Sequence, residues 1–313
     1  MTQAAADGLR SAVWDWAEEM VGPITERELL STSNSTVWRV RSASGEWALK
    51  HLADTSSAPQ AESVVLGRLA ATAAVRRIRA LAEQPDGSSF VLSEYVPGEV
   101  LADVLPTATP EQCREWARRQ RLVIDAVGTI PVTGFGKVRV AEDGRTLCAE
   151  HPSWTSFLGA YLDEQRRKAP ALADLRHDRL RAALDAVTPE LEDVEPLLMP
   201  ADVNSRNYVV DGFSLTCTNI PVAWSGDPLA AYGEALLHWS DTEGVAVFER
   251  ATAKRSRRAL RLYAAFHAYV ILAYVERFAA EPLDEATPWG ARTPLLTLLD
   301  SHLAAVEEAG DAR

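Results

Sequence analysis

An aspartate and an asparagine five positions apart precede a short apolar run in the second half of the chain. The stretch MPADVNSRNYVVDG, residues 199–212, places Asp202 and Asn207 ahead of Tyr208, two valines and an Asp-Gly turn. A carboxylate can accept a proton from a hydroxyl group, and a carboxamide oxygen can bind a hard cation such as Mg²⁺. Both residue types also favour turns, so two turn residues before a strand are the alternative interpretation.

Further polar residues lie upstream and downstream in a fixed order. A polar turn at residues 31–36 precedes Lys50, which closes the run WALK, and Glu62 follows on a segment with helical spacing. Farther along the chain, Asn219 precedes a Gly-Asp-Pro tripeptide. A lysine that holds phosphates, an acid that orients it, a proton-accepting aspartate and an amide ligand for a metal are parts of a phosphoryl-transfer site. The order therefore predicts phosphoryl transfer.

The elements that must position these residues differ between the two parts of the chain. In the first part, residues 35–52 form two runs around a Ser-Gly turn, which predicts a hairpin. Residues 58–74 have helical spacing. Residues 73–83 and 89–96 form either a second strand pair or a short helix and a strand, separated by the turn QPDGSS.

Helical patterns dominate from residue 101 onward. Residues 109–127 begin with a threonine cap, a proline and an early glutamate, which are signals of a helix start. A strand pair at residues 208–217 forms an island in this helical part, which suggests a site rather than a core sheet. We therefore expect an α+β protein with a strand-rich lobe at residues 1–96 and a mainly helical lobe at residues 97–313.

Composition limits the classes of function. With 313 residues the chain exceeds the usual size of one domain. The net charge of -12 argues against nucleic-acid binding and would suit a cationic small molecule, although solubility alone explains it equally well. The basic run at residues 254–261 is interpreted as a solvated helix face. The chain has no GxxxxGK[ST] motif, which excludes a P-loop NTPase. It also has no GxSxG motif, which is the commonest sequence signal of a hydrolase.

Cysteine usage and hydropathy predict a cytoplasmic protein that does not enter a membrane. The three cysteines, Cys113, Cys148 and Cys217, are odd in number, far apart and without metal-ligand spacing. We see no signal peptide, and no apolar run reaches the roughly 18 residues of a transmembrane helix.

With these motifs, the chain resembles the aminoglycoside phosphotransferase family, a branch of the protein-kinase-like fold. The resemblance rests on Asp202, Asn207, the apolar run YVV, the Asp-Gly turn and the Gly-Asp-Pro tripeptide, with support from Lys50 and the run SEYVPGEVL. It spans roughly Leu29 to Trp239. It implies a two-lobed protein-kinase-like fold, with a small antiparallel-sheet lobe and a larger, mainly helical lobe, and ATP or GTP bound in the cleft.

The resemblance also implies a role for each matching residue. Asp202 would be the catalytic base, and Asn207 would bind Mg²⁺ together with Asn219. The lysine would meet the nucleotide phosphates, the helix glutamate would pair with that lysine, the polar turn would cover the phosphates, and the hinge backbone would bind adenine. The residues implied in nucleotide binding are Ser33, Asn34, Ser35, Lys50, Glu62, Glu94 and Val96.

The implied activity is transfer of a phosphoryl group from ATP or GTP to a hydroxyl of a small molecule. An aminoglycoside-like antibiotic or a biosynthetic intermediate is the expected acceptor. Four acids could meet its ammonium groups: Glu234, Asp241, Glu243 and Glu276. Two departures, Pro200 in place of the family histidine and Asn219 in place of the family aspartate, favour the alternative, a catalytically impaired pseudokinase that binds a ligand, peptide or protein partner.

Four residues near these motifs are assigned structural places. Asp227 of the Gly-Asp-Pro tripeptide should cap and brace the following helix, on which Glu234 should lie at the surface and Trp239 in the core. His267, on a strongly apolar helix, should be a satisfied core histidine.

Overall fold

The computed structural model describes residues 13–32, 35–53, 59–84, 86–172, 176–220, 223–252, 257–279 and 281–311. The chain forms two compact units, Met1–Pro97 and Gly98–Arg313. The division falls one residue beyond the boundary predicted from the sequence.

A five-stranded antiparallel sheet forms the centre of the first unit, with the strand order β1-β2-β3-β5-β4. Its strands are β1 Ile24–Thr32, β2 Thr36–Ser42, β3 Gly45–Leu52, β4 Ile78–Glu83 and β5 Ser89–Glu94. Helix α1, residues 13–21, packs its apolar side chains against Val40, Leu49 and Phe90 of the sheet. Helix α2 comprises Pro59–Leu69. The predicted hairpin is therefore confirmed, and the ambiguous segment 73–83 ends in a strand.

The second unit is mainly helical. Its helices are α3 Leu101–Val104, α4 Pro110–Val127, α5 Trp154–Lys168, α6 Pro170–Leu172, α7 Asp178–Val187, α8 Leu229–His238, α9 Val245–Ala251, α10 Arg257–Phe278 and α11 Leu295–Asp311. Helix α4 begins as predicted, with a reciprocal capping box between Thr109 and Gln112.

Three small sheets complete the second unit. Their strands are β6 Glu99–Val100, β7 Gly136–Lys137, β8 Arg139–Val140, β9 Leu147–Cys148, β10 Leu197–Pro200, β11 Tyr208–Asp211, β12 Ser214–Cys217 and β13 Ala223–Gly226. The sheet orders are β10-β13-β7, β12-β11-β6 and β8-β9. The predicted pair β11–β12 is confirmed, but the expectation of a single island was wrong. Strands of two to four residues are too short for a periodic signal, and Pro200 is tolerated because β10 is an edge strand.

The start of α8 is fixed from both sides. Asp227 accepts the N–H of Leu229 at 3.0 Å, so it caps the helix as expected. Its other carboxylate oxygen accepts the hydroxyl of Tyr263 from α10 at 3.1 Å, and Tyr263 in turn accepts the indole N–H of Trp154 at 2.9 Å. These bonds connect α5, α8 and α10 and hold the end of β13.

Helices α8 and α10 pack closely at Gly233. A Cβ atom at this position would lie 2.6 Å from the Cβ of Tyr263 and 2.7 Å from the backbone nitrogen of Ala264. Glycine is required here because only a hydrogen atom fits between the two backbones. The same helix carries Trp239 at its end, which is 1% exposed, so its predicted place in the core is confirmed.

None of the helices in the described part of the chain is long and apolar enough to cross a membrane.

Candidate active site

The loop between β10 and β11 holds Asp202 in a fixed orientation. The backbone N–H of Asn204 donates to Oδ1 of Asp202 at 3.3 Å, and the Asn204 side-chain amide donates to the same oxygen. The carbonyl oxygen of that amide accepts the N–H of Arg206 at 2.8 Å and so caps a 3₁₀ turn over Ser205–Asn207. Sequence reasoning missed Asn204, although an asparagine before a polar turn is a recognisable capping signal.

The two predicted metal ligands lie side by side. Asn207 donates its amide to the backbone carbonyl of Asp202 at 3.1 Å, which aims its Oδ1 toward Asn219. The amide of Asn219 donates to that Oδ1 at 3.0 Å. The structure therefore brings Asp202, Asn207 and Asn219 together, with the two carboxamides hydrogen-bonded to each other.

Glu234 of α8 lies beneath the Asp202 loop and is only 3% exposed. Its Oε2 accepts the N–H of Val203 at 2.9 Å, while the carbonyl of Val203 accepts the amide of Gln120 from α4 at 2.9 Å. Helices α4 and α8 thus hold Val203, the residue directly after the catalytic candidate, through its carbonyl and its N–H. The expectation that Glu234 lies at the surface was wrong, because its acceptor role depends on a partner 31 residues away in sequence.

Two buried histidines accompany Glu234. The Nε2 of His238 lies 3.8 Å from Oε1, and the Nδ1 of His267 lies 3.7 Å from Oε2. Burial lowers the pKa of His267. Burial opposes ionisation of Glu234, but the two imidazoles and the N–H of Val203 hold the pKa of its carboxyl group below the ordinary value. In the sequence, the available signal for this buried cluster was the spacing of Glu234 and His238, four residues apart on an apolar helix.

Burial and the Glu234 carboxylate together raise the pKa of Asp202 to about 6, against hydrogen bonds from Asn204 that lower it. A carboxylate with such a pKa is mostly ionised at pH 7, yet it holds a proton more strongly than an ordinary aspartate. Asp202 is therefore suited to accept a proton near neutral pH.

The first unit carries the predicted phosphate-binding residues. Lys50 is 7% exposed and lies in the middle of the sheet, opposite Val37 and Val91. Glu62 of α2 is also buried and forms an ion pair with Arg76 at 3.2 Å, which sequence reasoning did not anticipate. The pairing of Glu62 with Lys50 stays a prediction.

The predicted turn and hinge are described only in part. Ser33 and Asn34 lie outside the described residues, while Ser35 directly precedes β2. At the hinge, the N–H of Glu94 donates to the carbonyl of Arg77 at 2.9 Å. Within the described ranges, the N–H of Val96 makes no hydrogen bond to the rest of the backbone, which leaves it able to donate to a ligand.

Three further acids have structural partners. Asp241 accepts the N–H of Thr293 at 3.0 Å and its hydroxyl at 2.6 Å. Glu276 accepts the N–H groups of Ala171 and Leu172 at 3.0 and 2.9 Å. Glu243 lies 3.8 Å from a guanidinium nitrogen of Arg114. Together with the burial of Glu234, these contacts occupy three of the four acids that were expected to meet ammonium groups, while Glu243 stays exposed.

No cluster of three or more His, Cys, Asp or Glu side chains in the described part of the chain is placed to hold a metal ion. The Asn207–Asn219 pair offers two neutral oxygens. Carboxamide oxygens are of the hard type that Mg²⁺ takes, and in this structure Oδ1 of Asn207 accepts the Asn219 amide.

Comparison with known proteins identifies one family. The model of the phosphotransferase enzyme family, APH, matches residues 25–218. No curated protein sequence matches the chain.

Solved structures share the fold at low sequence identity. A thermostable mutant of aminoglycoside phosphotransferase APH(4)-Ia, in a ternary complex with ADP and hygromycin B, is 17% identical with a TM-score of 0.64, covering 96% of this chain and 97% of that one. A protein of Thermobifida fusca, provisionally named fructosamine-3-kinase, is 18% identical with a TM-score of 0.61, covering 95% and 99%. The predicted fold class, an antiparallel-sheet lobe plus a mainly helical lobe of the kinase-like type, is confirmed.

Proposed function

The chain belongs to the phosphotransferase enzyme family, and on that premise we propose that it transfers the γ-phosphoryl group of ATP or GTP to a hydroxyl group of a small molecule. The observation that carries the proposal is the Asp202 loop. It combines a partly buried carboxylate, whose pKa is raised to about 6, with an adjacent pair of carboxamides. A proton acceptor beside oxygen ligands is the arrangement that phosphoryl transfer to an alcohol needs.

In the proposed step, the acceptor hydroxyl oxygen forms a bond to the γ-phosphorus while the bond from that phosphorus to the β–γ bridging oxygen breaks. The hydroxyl proton passes to a carboxylate oxygen of Asp202, and ADP or GDP leaves with the electron pair of the broken bond. Asn204 and Glu234 keep Asp202 in place during the transfer, through the bonds to its carboxylate and to the neighbouring peptide N–H.

The remaining roles follow the sequence prediction. We propose that Lys50 neutralises phosphate charge, that the Val96 N–H binds adenine, that Ser33, Asn34 and Ser35 cover the phosphates, and that Glu62 orients Lys50 from within its ion pair with Arg76. Asn207 and Asn219 would hold Mg²⁺, which neutralises charge on the nucleotide phosphates. The three cysteines form no disulfide in the described part of the chain, which supports a cytoplasmic location, where the nucleotide is available.

An aminoglycoside-like antibiotic is one acceptor within this class. The complex of APH(4)-Ia with hygromycin B supports it. The structural partners of Asp241 and Glu276 and the burial of Glu234 speak against an acceptor recognised through several ammonium groups. A biosynthetic intermediate with a hydroxyl group needs none of these acids.

Asp202→Asn tests the proposed function. We expect ADP release in a screen of hydroxylated compounds with Mg²⁺ and ATP, and the variant should lower kcat by about 10²- to 10⁴-fold, since a general base contributes a factor of this size. ATP should still raise the melting temperature of the variant. Asp211→Asn, an exposed aspartate in the β11–β12 turn, is the matched control and should keep full activity. Equal activity of both variants would exclude Asp202 as the base.

The alternative is a pseudokinase that binds nucleotide without turnover. The hydrogen bond from Asn219 to Asn207 favours it, because the amide donor satisfies an oxygen that would otherwise bind the metal. Asn219→Asp restores a charged oxygen ligand and should tighten Mg²⁺-dependent ATP binding about tenfold or more by calorimetry. If the unmodified protein is stabilised by ATP but releases no ADP, and Asn219→Asp gains turnover, the alternative is correct.

A further inference from the structure

An exposed tryptophan lies directly beside the Asp202 loop. Trp289 is 44% exposed, although burial of an apolar ring favours folding. Its backbone carbonyl accepts the hydroxyl of Ser205 at 2.6 Å and lies 3.3 Å from Nδ1 of His238. The ring is therefore held next to the turn that follows the catalytic candidate.

The segment that carries Trp289 is fixed along its length. Gly290 has a φ of +87°, and a Cβ there would lie 2.8 Å from Cδ2 of Leu105 and 3.2 Å from the hydroxyl oxygen of Ser205. Beyond it, Asp241 accepts the N–H groups of both Arg292 and Thr293. A segment anchored at the ring and directly after it presents the ring in a constant position.

Arg206, which directly precedes Asn207, places its guanidinium carbon 5.3 Å from the centroid of the Trp289 ring. This distance is within the range of a cation–π contact. The residue is exposed, and among the described residues it forms no ion pair within 4.0 Å. Trp289 and Arg206, here called the Trp289 shelf, thus offer an exposed indole ring with a positive charge over one of its faces.

We propose that the Trp289 shelf binds the acceptor, and that the acceptor is a ring-bearing alcohol that is neutral or carries a carboxylate, rather than a polyamine. The inference rests on the proposed function and names the substrate class of the same site. A ring stacks on the indole face, and a guanidinium pairs with a carboxylate through paired N–H groups. An ammonium group at the shelf would meet the like charge of Arg206. Three of the four acids that could attract it are engaged elsewhere, namely Glu234, Asp241 and Glu276.

Matched acceptors test the charge preference. The probes are benzyl alcohol, 4-(hydroxymethyl)benzoate and 4-(hydroxymethyl)benzylamine, and glucose, glucuronate and glucosamine, with ADP release measured on the full chain. We expect kcat/KM for the carboxylate member of a series to exceed that for the amine member by about tenfold or more. Preference for the amine member overturns the proposal.

Variants test the shelf itself. Trp289→Ala should raise the acceptor KM about tenfold and leave the ATP KM unchanged, while Trp289→Phe should retain most of the affinity. Arg206→Gln should remove the preference for the carboxylate and leave benzyl alcohol unaffected. Phe213→Ala, an exposed aromatic elsewhere in the second unit, is the control and should behave as the unmodified protein.

Each remaining outcome is decisive. If Arg206→Gln raises only the ATP KM, Arg206 binds the nucleotide and the shelf proposal is wrong. The shelf is also excluded if ATP stabilises the protein but neither probe series is phosphorylated by the unmodified chain. If ATP neither stabilises the protein nor supports ADP release with any compound, the proposed function itself fails.

Discussion

At the scale of single residues, the behaviour of Asp202 is set by neighbours that contribute opposite effects. Asn204 donates two hydrogen bonds to its carboxylate and lowers its pKa, while burial and Glu234 raise it to about 6. Glu234 in turn stays ionised because His238, His267 and the N–H of Val203 surround it. A buried acid beneath the catalytic candidate therefore tunes it through charge and through the backbone.

The first consequence is a pH dependence. A base must be ionised to accept a proton, so kcat/KM should fall as the pH is lowered through about 6. Glu234→Gln keeps an acceptor for the Val203 N–H but removes the charge, so the inflection should move to lower pH, on the order of half to one pH unit. A pH–rate profile measures both.

Glu243→Gln is the matched control, because this acid is exposed and pairs only weakly with Arg114. Its pH–rate profile should coincide with that of the unmodified protein. An unchanged inflection in Glu234→Gln, with unchanged kcat, would show that Glu234 has no influence on the base.

The sequence singled out Asp202, Asn207 and Asn219 by their local spacing, and the structure places the three together. Their roles stay a prediction. The sequence was insufficient for Glu234 and Trp289. Glu234 is one acid on an apolar helix, and its structural role depends on contacts with Val203 and His267, which lie 31 and 33 residues away in sequence. Trp289 is distinguished only by the exposure and anchoring that the fold gives it.

At the scale of elements, the second unit depends on close contact between α8 and α10. Helix α8 carries Glu234 and His238, while α10 carries His267 and the tyrosine that braces Asp227. The fixed distance between the two helices keeps the buried acid beneath the loop. The long helices and the hairpins were predictable because their periodicity is strong. The strands of two to four residues were not, because tertiary pairing rather than local preference makes them extended.

Gly233→Ala should loosen this contact. The added methyl group meets the backbone of α10 at 2.7 Å and cannot be relieved by a rotamer change, so we expect a loss of about 1–3 kcal/mol in the free energy of unfolding. Urea denaturation followed by circular dichroism measures it.

Gly159→Ala, in helix α5 of the same unit, is the control. The added methyl group there meets only the end of the flexible Arg181 side chain, at 3.0 Å. Alanine has a higher helix propensity than glycine, so this variant should be neutral or stabilised by up to about 1 kcal/mol. Equal destabilisation of the two variants would contradict the close contact between α8 and α10.

At the scale of the whole molecule, the chain divides its proposed chemistry between two units. Met1–Pro97 contributes Lys50 and the hinge, and Gly98–Arg313 contributes the base, the carboxamide pair and the Trp289 shelf. The predicted lobe boundary at residue 96 rests on the change from strand to helix patterns near Val96 to Gly98. If both units serve one reaction, residues from each must act on the same transition state.

A double-mutant cycle between the units tests this central claim most directly. ADP release would be measured for the unmodified protein, Lys50→Met, Asp202→Asn and the double variant, with a thermal melt for each to establish folding. We predict that each single change lowers kcat by about 10²-fold or more. The kcat of the double variant should be only slightly below that of the less active single variant, because removing one of two groups that act together already removes the contribution of the other. Turnover that is unaffected by Lys50→Met, or losses that multiply fully in the double variant, would contradict a single phosphoryl-transfer reaction shared by the two units.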